Sequence, residues 1–572
     1  MMNRRSAIWS LASFPSALAI ATRLPSNSLF AIDEKEIISS FDSVRYSPKG
    51  FASGVTIPHH LFASRLIALG LWQAAGRVVS RIILIGPDHF GAAVAPASLS
   101  RSSFMTSFGK IDIDTGAVDR LLRDRSLFAT SDLFRNEHSI LALLPFIKYI
   151  FAEASVIPVA LSLADDEMTC NRIVRAIRPL ISTETLVIQS TDFSHYLSHH
   201  DAQRRDQETL NILASTSPGK IFTLNQPAHL DSRAAQYVQL SLQQNLGAVT
   251  SVIANLNSAE IGGGSEWTTS YVVQAYSKDP TEVPARGFRR LFFGGDVLLG
   301  RGFTRLLENE VIRDEMIAKV LEITGGAPLV VNLEGIILDE VPVGSPSGAH
   351  IMVASQALPI LNAMNVHAVV LANNHSLDFG VAALETTVSL LDAAGIRSLR
   401  EGEILEVEGA QLAAFDLVSS RSDGTRPQPE STKFEVLEQT NSAPVFAFVH
   451  WGREYTNVMS NREWQWADLL RRYGVGCVIG CHSHRASPQL ESVGRGFQQI
   501  LFSLGNMVFD QTGEQTSGVL LEVRLFPQGT WFSRVIAIPN FYSRGLGRLR
   551  AIQPPTPAEE PEAKSPCCEE IV

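Results

Sequence analysis

Residues 371–380 read LANNHSLDFG and directly follow an apolar run. Two amides, an imidazole and a carboxylate stand close together in this stretch, on Asn373, Asn374, His375 and Asp378. Polar groups of these kinds are costly to bury without partners. The stretch therefore predicts that these side chains meet partners in the folded chain.

The same arrangement recurs along the second half of the chain. Several short apolar runs have the length and composition of buried strands, and each ends in a carboxylate, an amide or an imidazole. These end groups are Asp296, Asn332 with Glu334, Asn374 with His375, His450, and His482 with His484. Sites in α/β sheets form at the carboxyl ends of the strands, so the groups are predicted to converge.

The residue types indicate which ions would bind. Asp, Glu, Asn and His without Cys suit hard or borderline divalent ions such as Mn, Fe, Zn or Mg. A Glu that bridges two ions, with ligands on both sides, would form a two-metal site with a spacing of about 3.5–4 Å, as used in hydrolysis and phosphoryl transfer. A single His or Asn has an ordinary structural explanation, so the prediction depends on the repetition.

The second half, from about residue 289 to 540, resembles the CapA family of poly-gamma-glutamate capsule biosynthesis proteins. The motifs are GGDVLLGRG, VVNLEG, LANNHSLDFG, FVHWGREY, VIGCHSHRASPQLE and LFSLGNMVFD, in the family's order. The resemblance implies the α/β sandwich of the calcineurin-like metallophosphatases. It also implies one metal on Asp296, Glu334 and His484, a second on Glu334, Asn374, His450 and His482, His375 as general acid or oxyanion stabiliser, and Arg301 and Asn506 in the pocket. The wider superfamily has a second ligand, His, where this chain has Leu298, which predicts a first metal that is weakly held or absent.

The first half shows a sparser version of the same pattern. The motifs IPHH, ILIGPDHFG, NEHSILALLPFI, QSTDFSHY and GGGSEWTTSYVVQAY place histidines and carboxylates after apolar runs. Over about residues 45–277 they resemble the Memo-like family, protein B of the AmmeMemoRadiSam system, whose fold is shared with class III extradiol dioxygenases. The resemblance implies His59 and His89 as metal ligands, His195 as the active-site histidine, and Asp192 and His138 in the same cleft.

Asp231 stands where that family has a cysteine. As a ligand beside His59 and His89 it would complete the two-histidine, one-carboxylate set that leaves open positions on non-haem Fe(II). The alternative is structural: Asp231 pairs with Arg233 or caps the helix that starts at SRAAQYVQ, since Asp is a favoured N-cap.

Composition and the chain ends define the organisation. Residues 1–30 carry Arg4, Arg5 and an uncharged run, which predicts a secretory signal of twin-arginine type; a retained anchor and a disordered tail are the alternatives. The predicted parts that follow are a Memo-like domain over 35–277, a linker over 278–287, a CapA-like domain over 288–548 and a disordered tail over 549–572 that holds Cys567 and Cys568. The net charge of −10, with scattered Lys and Arg, argues against nucleic-acid binding, and no further segment is predicted to span a membrane.

The sequence thus predicts an exported, periplasmic or otherwise extracytoplasmic, two-domain α/β protein. The leading functional prediction is a role in cell-envelope polymer synthesis, of capsule or poly-gamma-glutamate type, with a hydrolase-like dinuclear metal site. Its partners would be an anionic polymer or small-molecule substrate and other envelope biosynthesis proteins. The first rival is a non-haem iron redox enzyme or dioxygenase centred on the first half, and the second is a non-catalytic metal-binding scaffold.

Overall fold

The computed structural model describes residues 32–45, 49–164, 166–215, 217–279, 288–345, 350–418, 431–440, 444–493, 498–513, 516–527 and 529–552. The predicted signal over 1–30 lies outside the described residues. Most of the predicted linker and the tail from residue 553 on, with Cys567 and Cys568, also lie outside them.

The chain is a mixed α/β protein with two domains, which confirms the predicted fold class. Its residues group into two compact units. Of the described residues, the first unit holds those up to residue 289 and those within 489–499 and 523–534, and the second holds those within 290–488, within 500–522 and from residue 535 on. Two short segments from the second half of the sequence are therefore counted with the first unit.

The first unit is built on a nine-stranded sheet whose central strands are parallel. These strands are buried on both faces, so they read as continuous Val- and Ile-rich runs. With strands numbered in chain order, the sheet order is β10 (Val249–Asn257), β11 (Thr268–Ser277), β1 (Gly54–Ile57), β8 (Thr185–Ser190), β2 (Arg81–Pro87), β7 (Ser155–Leu161), β3 (Ala97–Leu99) and β6 (Phe128–Thr130), with β9 (His195–Leu197) paired to β11. A separate hairpin joins β4 (Phe104–Thr106) to β5 (Gly109–Ile111).

Helices accompany these strands, and apolar side chains from both form two buried clusters. The helices are α1 (Glu34–Asp42), α2 (Ser64–Trp72), α3 (Thr115–Leu121), α4 (His138–Leu141), α5 (Leu144–Ile150), α6 (Glu167–Ile177), α7 (His199–Ala214) and α8 (Arg233–Asn245). The start of α8 decides one open question. Ser232 is its N-cap, since the Ser232 hydroxyl accepts the N–H of Ala235 at 3.1 Å, and the Arg233 guanidinium donates to Gln226. Both structural explanations of Asp231 are therefore wrong.

The second half of the chain forms two main sheets. The seven-stranded sheet has the order β17 (Arg397–Leu399), β16 (Val366–Val370), β13 (Leu329–Leu333), β12 (Arg289–Val297), β25 (Val519–Leu525) and β26 (Trp531–Ala537), with β24 (Asn506–Val508) also beside β12. The six-stranded sheet has the order β18 (Ile404–Val407), β19 (Ala410–Asp416), β20 (Val445–His450), β21 (Cys477–Cys481), β23 (Gln498–Leu501) and β22 (Glu491–Val493). A short parallel pair joins β14 (Ile336–Leu338) to β15 (Ile351–Val353).

The helices of the second half are α9 (Thr304–Leu307), α10 (Glu310–Thr324), α11 (Ala354–Ala363), α12 (Gly380–Ala393), α13 (Asn461–Arg472) and α14 (Phe541–Ile552). Helix α14 includes residues 549–552, which had been predicted to begin the disordered tail. Across the described ranges, no helix combines the length and the apolar composition that a bilayer span requires.

Candidate metal centres

The strand ends of the second unit bring polar side chains together in overlapping groups, among them one of Glu334, His350 and His375. Two buried groups hold the predicted ligands. One consists of Asp296, Glu334 and His484, and the other of Glu334, His450 and His482. In each group, one ligand atom per residue lies within 4.8 Å of the others. Glu334 is common to both groups, which is the geometry that a bridging carboxylate requires.

The register of the parallel strands explains this convergence. Asp296 on β12 lies opposite Asn332 on β13 and Asn506 on β24, while His450 ends β20 opposite Cys481 at the end of β21. Gly295 allows the close approach of the β24 segment, because a Cβ atom at residue 295 would lie 1.8 Å from the carbonyl oxygen of Gly505.

Direct contacts connect the predicted ligands within each group. In the first, Nδ1 of His484 lies 3.2 Å from Oδ2 of Asp296 and 2.8 Å from Oδ1 of Asn506. In the second, Nε2 of His450 lies 2.7 Å from Oδ1 of Asn374 and 3.1 Å from Nδ1 of His482. The two predicted ligand sets are thus two spatial clusters, and their role as ligands remains a prediction.

The two clusters of the second unit share Glu334 and are together called the second-unit cluster. Its charges favour a cation. Burial, and then the charge of Asp296, raise the pKa of Glu334 well above its usual value, and burial lowers the pKa of His450 well below its own. Among the described residues, Oε2 of Glu334 is a buried oxygen without a hydrogen-bond partner. A divalent cation would satisfy this oxygen, so the donor set fits the ions predicted for it. Leu298, which stands at the superfamily's second ligand position, is fully buried and offers no ligand atom.

His375 lies at the edge of this cluster, oriented by a carboxylate. Its Nδ1 is 3.0 Å from Oδ2 of Asp378, and its Nε2 is 4.0 Å from Oε1 of Glu334. The carboxylate at Nδ1 fixes the ring so that Nε2 faces the cluster. The same oxygen of Asp378 also accepts the backbone N–H of His350 at 3.1 Å.

His350 is a site residue that the sequence pattern missed. Its ring stacks on that of His375 with centroids 3.6 Å apart. Its Nδ1 lies 3.1 Å from the carbonyl oxygen of Glu334, and its Nε2 lies 2.6 Å from Nη1 of Arg301, which also pairs with Asp510. Burial, together with the charges of His375 and Arg301, lowers the pKa of His350 to about 3. His350 precedes β15 instead of following a strand, so a search of strand ends could not find it.

Backbone strain is concentrated around the second-unit cluster. Non-glycine residues with positive φ include Arg301 (52°), His482 (89°), His484 (57°) and Tyr455 (60°). Bulky side chains rarely adopt this region, and such strain persists where the surrounding structure imposes it. Tyr455 is half-exposed, and its ring centroid lies 6.1 Å from that of His484. It is therefore a strained residue beside the predicted ligand His484.

The first unit holds a cluster of its own, called the first-unit cluster. His59, His89 and His138 bring ligand atoms within 4.8 Å of one another, and the rings of His89 and His138 stack with centroids 4.2 Å apart. Oδ2 of Asp231 lies 3.5 Å from Nε2 of His59 and 3.6 Å from Nε2 of His89. The structure therefore places Asp231 beside both predicted histidine ligands.

Asp192 and His195 border this cluster. Oδ1 of Asp192 accepts the N–H of His59 at 3.1 Å, and its Oδ2 lies 3.5 Å from Nε2 of the same histidine. His195 begins β9, with Nδ1 3.2 Å from Oγ1 of Thr269, outside the group of three histidines. Tyr196, next to it, is also strained, with a φ of 59°.

The first-unit cluster also fits a cation. Oδ1 of Asp231 is buried and, within the described ranges, has no hydrogen-bond partner. Burial alone would lower the pKa of His89, but hydrogen bonds and charges from Asp231 and Glu137 outweigh it and raise that pKa to about 10. Carboxylates that hold a proton on His89 in this way would also favour a metal ion in the proton's place.

Comparison with known families gives two matches. Residues 33–274 match the family model of Memo-like protein, and residues 290–511 match that of bacterial capsule synthesis protein PGA_cap. The recognition of two different domains in one chain is therefore confirmed.

Individual relatives match the first half. A MEMO1 family protein of Methanopyrus kandleri is 32% identical over 140 residues, which cover 23% of this chain and 49% of the relative. A MEMO1 family protein of Methanosarcina acetivorans is 27% identical over 248 residues, 42% of this chain and 90% of the relative. The chain thus spans about half of the first relative's length. A solved structure described as a novel phosphatase from Mycoplasma pneumoniae covers 46% of this chain and 96% of its own, with 13% identity and a TM-score of 0.31, a likeness too low to add weight.

Proposed function

Because this chain joins a Memo-like domain to a PGA_cap domain, we propose that it is an exported protein of cell-envelope polymer synthesis. In this proposal the PGA_cap domain carries a hydrolase-like dinuclear metal site that acts on an anionic polymer or a precursor of one. The capsule synthesis named in the family description supports the polymer class, and the donor set supports the metal site.

The observation that carries the proposal is the position of Glu334. Its carboxylate belongs to both clusters of the second unit, and its buried Oε2 has no hydrogen-bond partner among the described residues. An isolated buried carboxylate would be strongly destabilising. Cations held by the two clusters would remove that penalty.

The surrounding residues have distinct tasks in this proposal. Divalent ions at the two clusters would supply Lewis-acid chemistry for hydrolysis. In its doubly protonated form, His375 holds one proton at Nδ1 against Asp378 and presents the other at Nε2 to the site, where Nε2–H can give that proton to a leaving group. Asp378 and His350 keep that ring in place, and Asn506 orients His484 through Nδ1.

A second candidate function rests on the first unit. His59, His89 and Asp231 form a two-histidine, one-carboxylate set in which the carboxylate has an oxygen without a described partner. Such a set binds non-haem Fe(II) with open positions. In this alternative the first unit performs an iron-dependent redox or dioxygenase reaction, and the PGA_cap domain contributes specificity.

Metal quantification on the full chain, together with Glu334→Gln and Asp231→Ser, tests the two candidates. The leading proposal expects two redox-inert or Mn-type ions that disappear in Glu334→Gln, and metal-dependent hydrolysis of a generic phosphodiester. The alternative expects oxidisable iron that disappears in Asp231→Ser. A full chain that binds no metal would reject both enzyme proposals and support a non-catalytic scaffold whose metal sites are degenerate.

Export is tested separately by fractionating cells that produce the chain. The twin-arginine assignment predicts that replacing both Arg4 and Arg5 by Lys retains the protein inside the cell. An unchanged distribution of this double variant would reject that assignment.

A further inference from the structure

Cys481 is a buried thiol at the edge of the second-unit cluster. It ends β21 directly opposite His450, the last residue of β20, and its Sγ lies 3.1 Å from Nδ1 of His450. The ligand set predicted from sequence contained no cysteine, so this contact was unexpected. We propose that Cys481 is a positioning residue whose sulfur accepts the Nδ1 proton of His450 and thereby leaves Nε2 free for a cation.

This inference rests on the proposed metal site, and the two faces of His450 support it. Nε2 faces the cluster, 2.7 Å from Oδ1 of Asn374 and 3.1 Å from Nδ1 of His482. Nδ1 faces away from those ligands, towards Cys481. A ligating histidine commonly donates its other ring N–H to a partner that sets the tautomer and the ring orientation.

The other neighbour of Nδ1 cannot take that proton. Nδ2 of Asn332 lies 3.4 Å from Nδ1 of His450, but this amide nitrogen can only donate, and one of its two hydrogens bonds Oδ1 of Asp296 at 2.9 Å. The amide cannot be turned around without loss, because Oδ1 of Asn332 accepts from Nδ2 of Asn373 at 3.1 Å. Sγ of Cys481 is therefore the acceptor that the surroundings leave for Nδ1–H.

A thiol suits this position because it can both donate and accept. Its S–H can donate to the carbonyl oxygen of Val449, 3.5 Å from Sγ, while the sulfur accepts from His450. If Nε2 carries the proton instead, the S–H can turn to Nδ1. Cys481 therefore satisfies either tautomer of His450 and keeps the ring in one place when a cation takes Nε2.

The position of Cys481 suits a partner of His450, because its fully buried sulfur meets Nδ1, on the side of the ring away from Asn374 and His482. Direct ligation remains a distinguishable outcome, since Asp296, His450 and Cys481 also bring ligand atoms within 4.8 Å of one another.

The test is Co²⁺ binding by the full chain, followed by absorption spectroscopy, for wild type, Cys481→Ala and Cys481→Ser. Cys477→Ala is the matched control, because Cys477 is a buried cysteine of the same strand that belongs to none of the candidate metal groups among the described residues. Subtracting the signal of Glu334→Gln assigns the spectrum to the second-unit cluster. Thermal unfolding without metal reports any change in packing.

We expect Cys481→Ala to bind Co²⁺ about 10- to 100-fold more weakly, the usual effect of losing an outer partner of a ligand. Cys481→Ser should stay within a few-fold of wild type, since a hydroxyl also donates and accepts, and Cys477→Ala should match wild type. We expect no sulfur-to-cobalt charge-transfer band in wild type or in any variant, because Cys481 is proposed not to bind the metal directly.

Each other result overturns the inference in an identifiable way. A charge-transfer band in wild type that Cys481→Ala removes would make Cys481 a ligand. If Cys481→Ala binds Co²⁺ as tightly as wild type, or if Cys481→Ser loses as much affinity as Cys481→Ala, the thiol has no positioning role. If the alanine variant does not fold, the affinity of Cys481→Ser decides. If wild type binds Co²⁺ and Cys481→Ala binds it with the same affinity, this inference alone is rejected. If wild type binds no Co²⁺ at the second-unit cluster, the proposed function is rejected as well.

Discussion

Nδ1 of His89 lies 2.9 Å from Oε1 of Glu137, on the side of the imidazole ring that faces away from Asp231. Glu137 is fully buried, and its carboxylate also accepts the backbone N–H groups of His89 and Ser139. Three donors thus hold the carboxylate, and the carboxylate holds the ring. Nε2 of His89 is thereby turned towards the first-unit cluster, 3.6 Å from Oδ2 of Asp231.

Glu137→Gln should weaken metal binding at the first-unit cluster by about 10- to 100-fold, the usual effect of changing a partner behind a ligating histidine. The amide keeps the shape but loses the charge that favours Nδ1–H. Titration against a competing chelator measures the affinity. The exposed Glu184 supplies the control Glu184→Gln, and equal losses in both variants would contradict a specific role.

Asp231→Ser should lose metal from the first-unit cluster, while Asp231→Cys should retain a metal with a changed spectrum. A thiolate replaces the carboxylate in the second variant, and soft donors shift the preference towards thiophilic ions. Ser232→Ala is the control, because it removes the helix cap at a stability loss of about 0.5–2 kcal/mol without touching the ligand set. Unaltered metal content in Asp231→Ser would end the iron-site hypothesis.

Glu334→Gln should lose more bound metal than any other single carboxylate change in the second unit. The reason is that one carboxylate serves both clusters, so neutralising it weakens two ion positions at once. Metal content by elemental analysis, compared with that of Asp296→Asn, measures the difference. Equal or greater loss in Asp296→Asn would mean that Glu334 does not bridge.

His375→Ala should keep its metal content and lose turnover of a phosphodiester by about 10²- to 10⁴-fold, the range typical of a lost general acid or base. The imidazole faces the site at 4.0 Å from Glu334 and is held by Asp378, so in the proposed function its removal takes away a proton donor. His367→Ala, at an exposed position of β16, is the control. Metal loss in His375→Ala would assign that residue to the ligand set instead.

Asp206→Asn should make the stability of the protein less dependent on pH. Burial raises the pKa of Asp206 from 3.8 to about 7, against hydrogen bonds from Ser270, Ser194 and Asn255 that lower it. The folded state therefore binds this proton more tightly than the unfolded chain. Below about pH 4 the carboxyl group is protonated in both states and does not change the free energy of unfolding. As the pH rises from about 4 to about 7, the buried group lowers the free energy of unfolding, by at most about 4 kcal/mol.

Chemical unfolding at pH 5 and pH 8 measures this effect. Wild type should lose more stability than Asp206→Asn between the two values, and Asp132→Asn, at a highly exposed aspartate, should behave as wild type. A wild-type protein and an Asp206→Asn variant with parallel pH profiles would show that Asp206 titrates normally in the folded state.

The fold class can be read from local patterns in the sequence, and both domain families from the resemblance of its motifs to known proteins. Buried parallel strands read as short apolar runs, and the polar residues that follow them mark the sheet edge at which they meet. Asp296, Glu334, Asn374, His450, His482 and His484 are among the residues predicted in this way. The structure places them in two contiguous clusters, and their role as ligands stays a prediction. The motifs around these residues also predict the capsule-synthesis family, and the match to the PGA_cap family model over residues 290–511 confirms it.

Which side chains orient these groups is visible only in the folded chain. His350 lies before a strand, Glu137 is distant in sequence from His89, and Cys481 reaches His450 only through the pairing of β20 with β21. The role of Asp231 was likewise open, since an aspartate before a helix is a common cap, and only the hydroxyl of Ser232 at that cap removed the alternative. Orientation depends on contacts between residues far apart in the chain, and spacing along the sequence does not encode the distances between them.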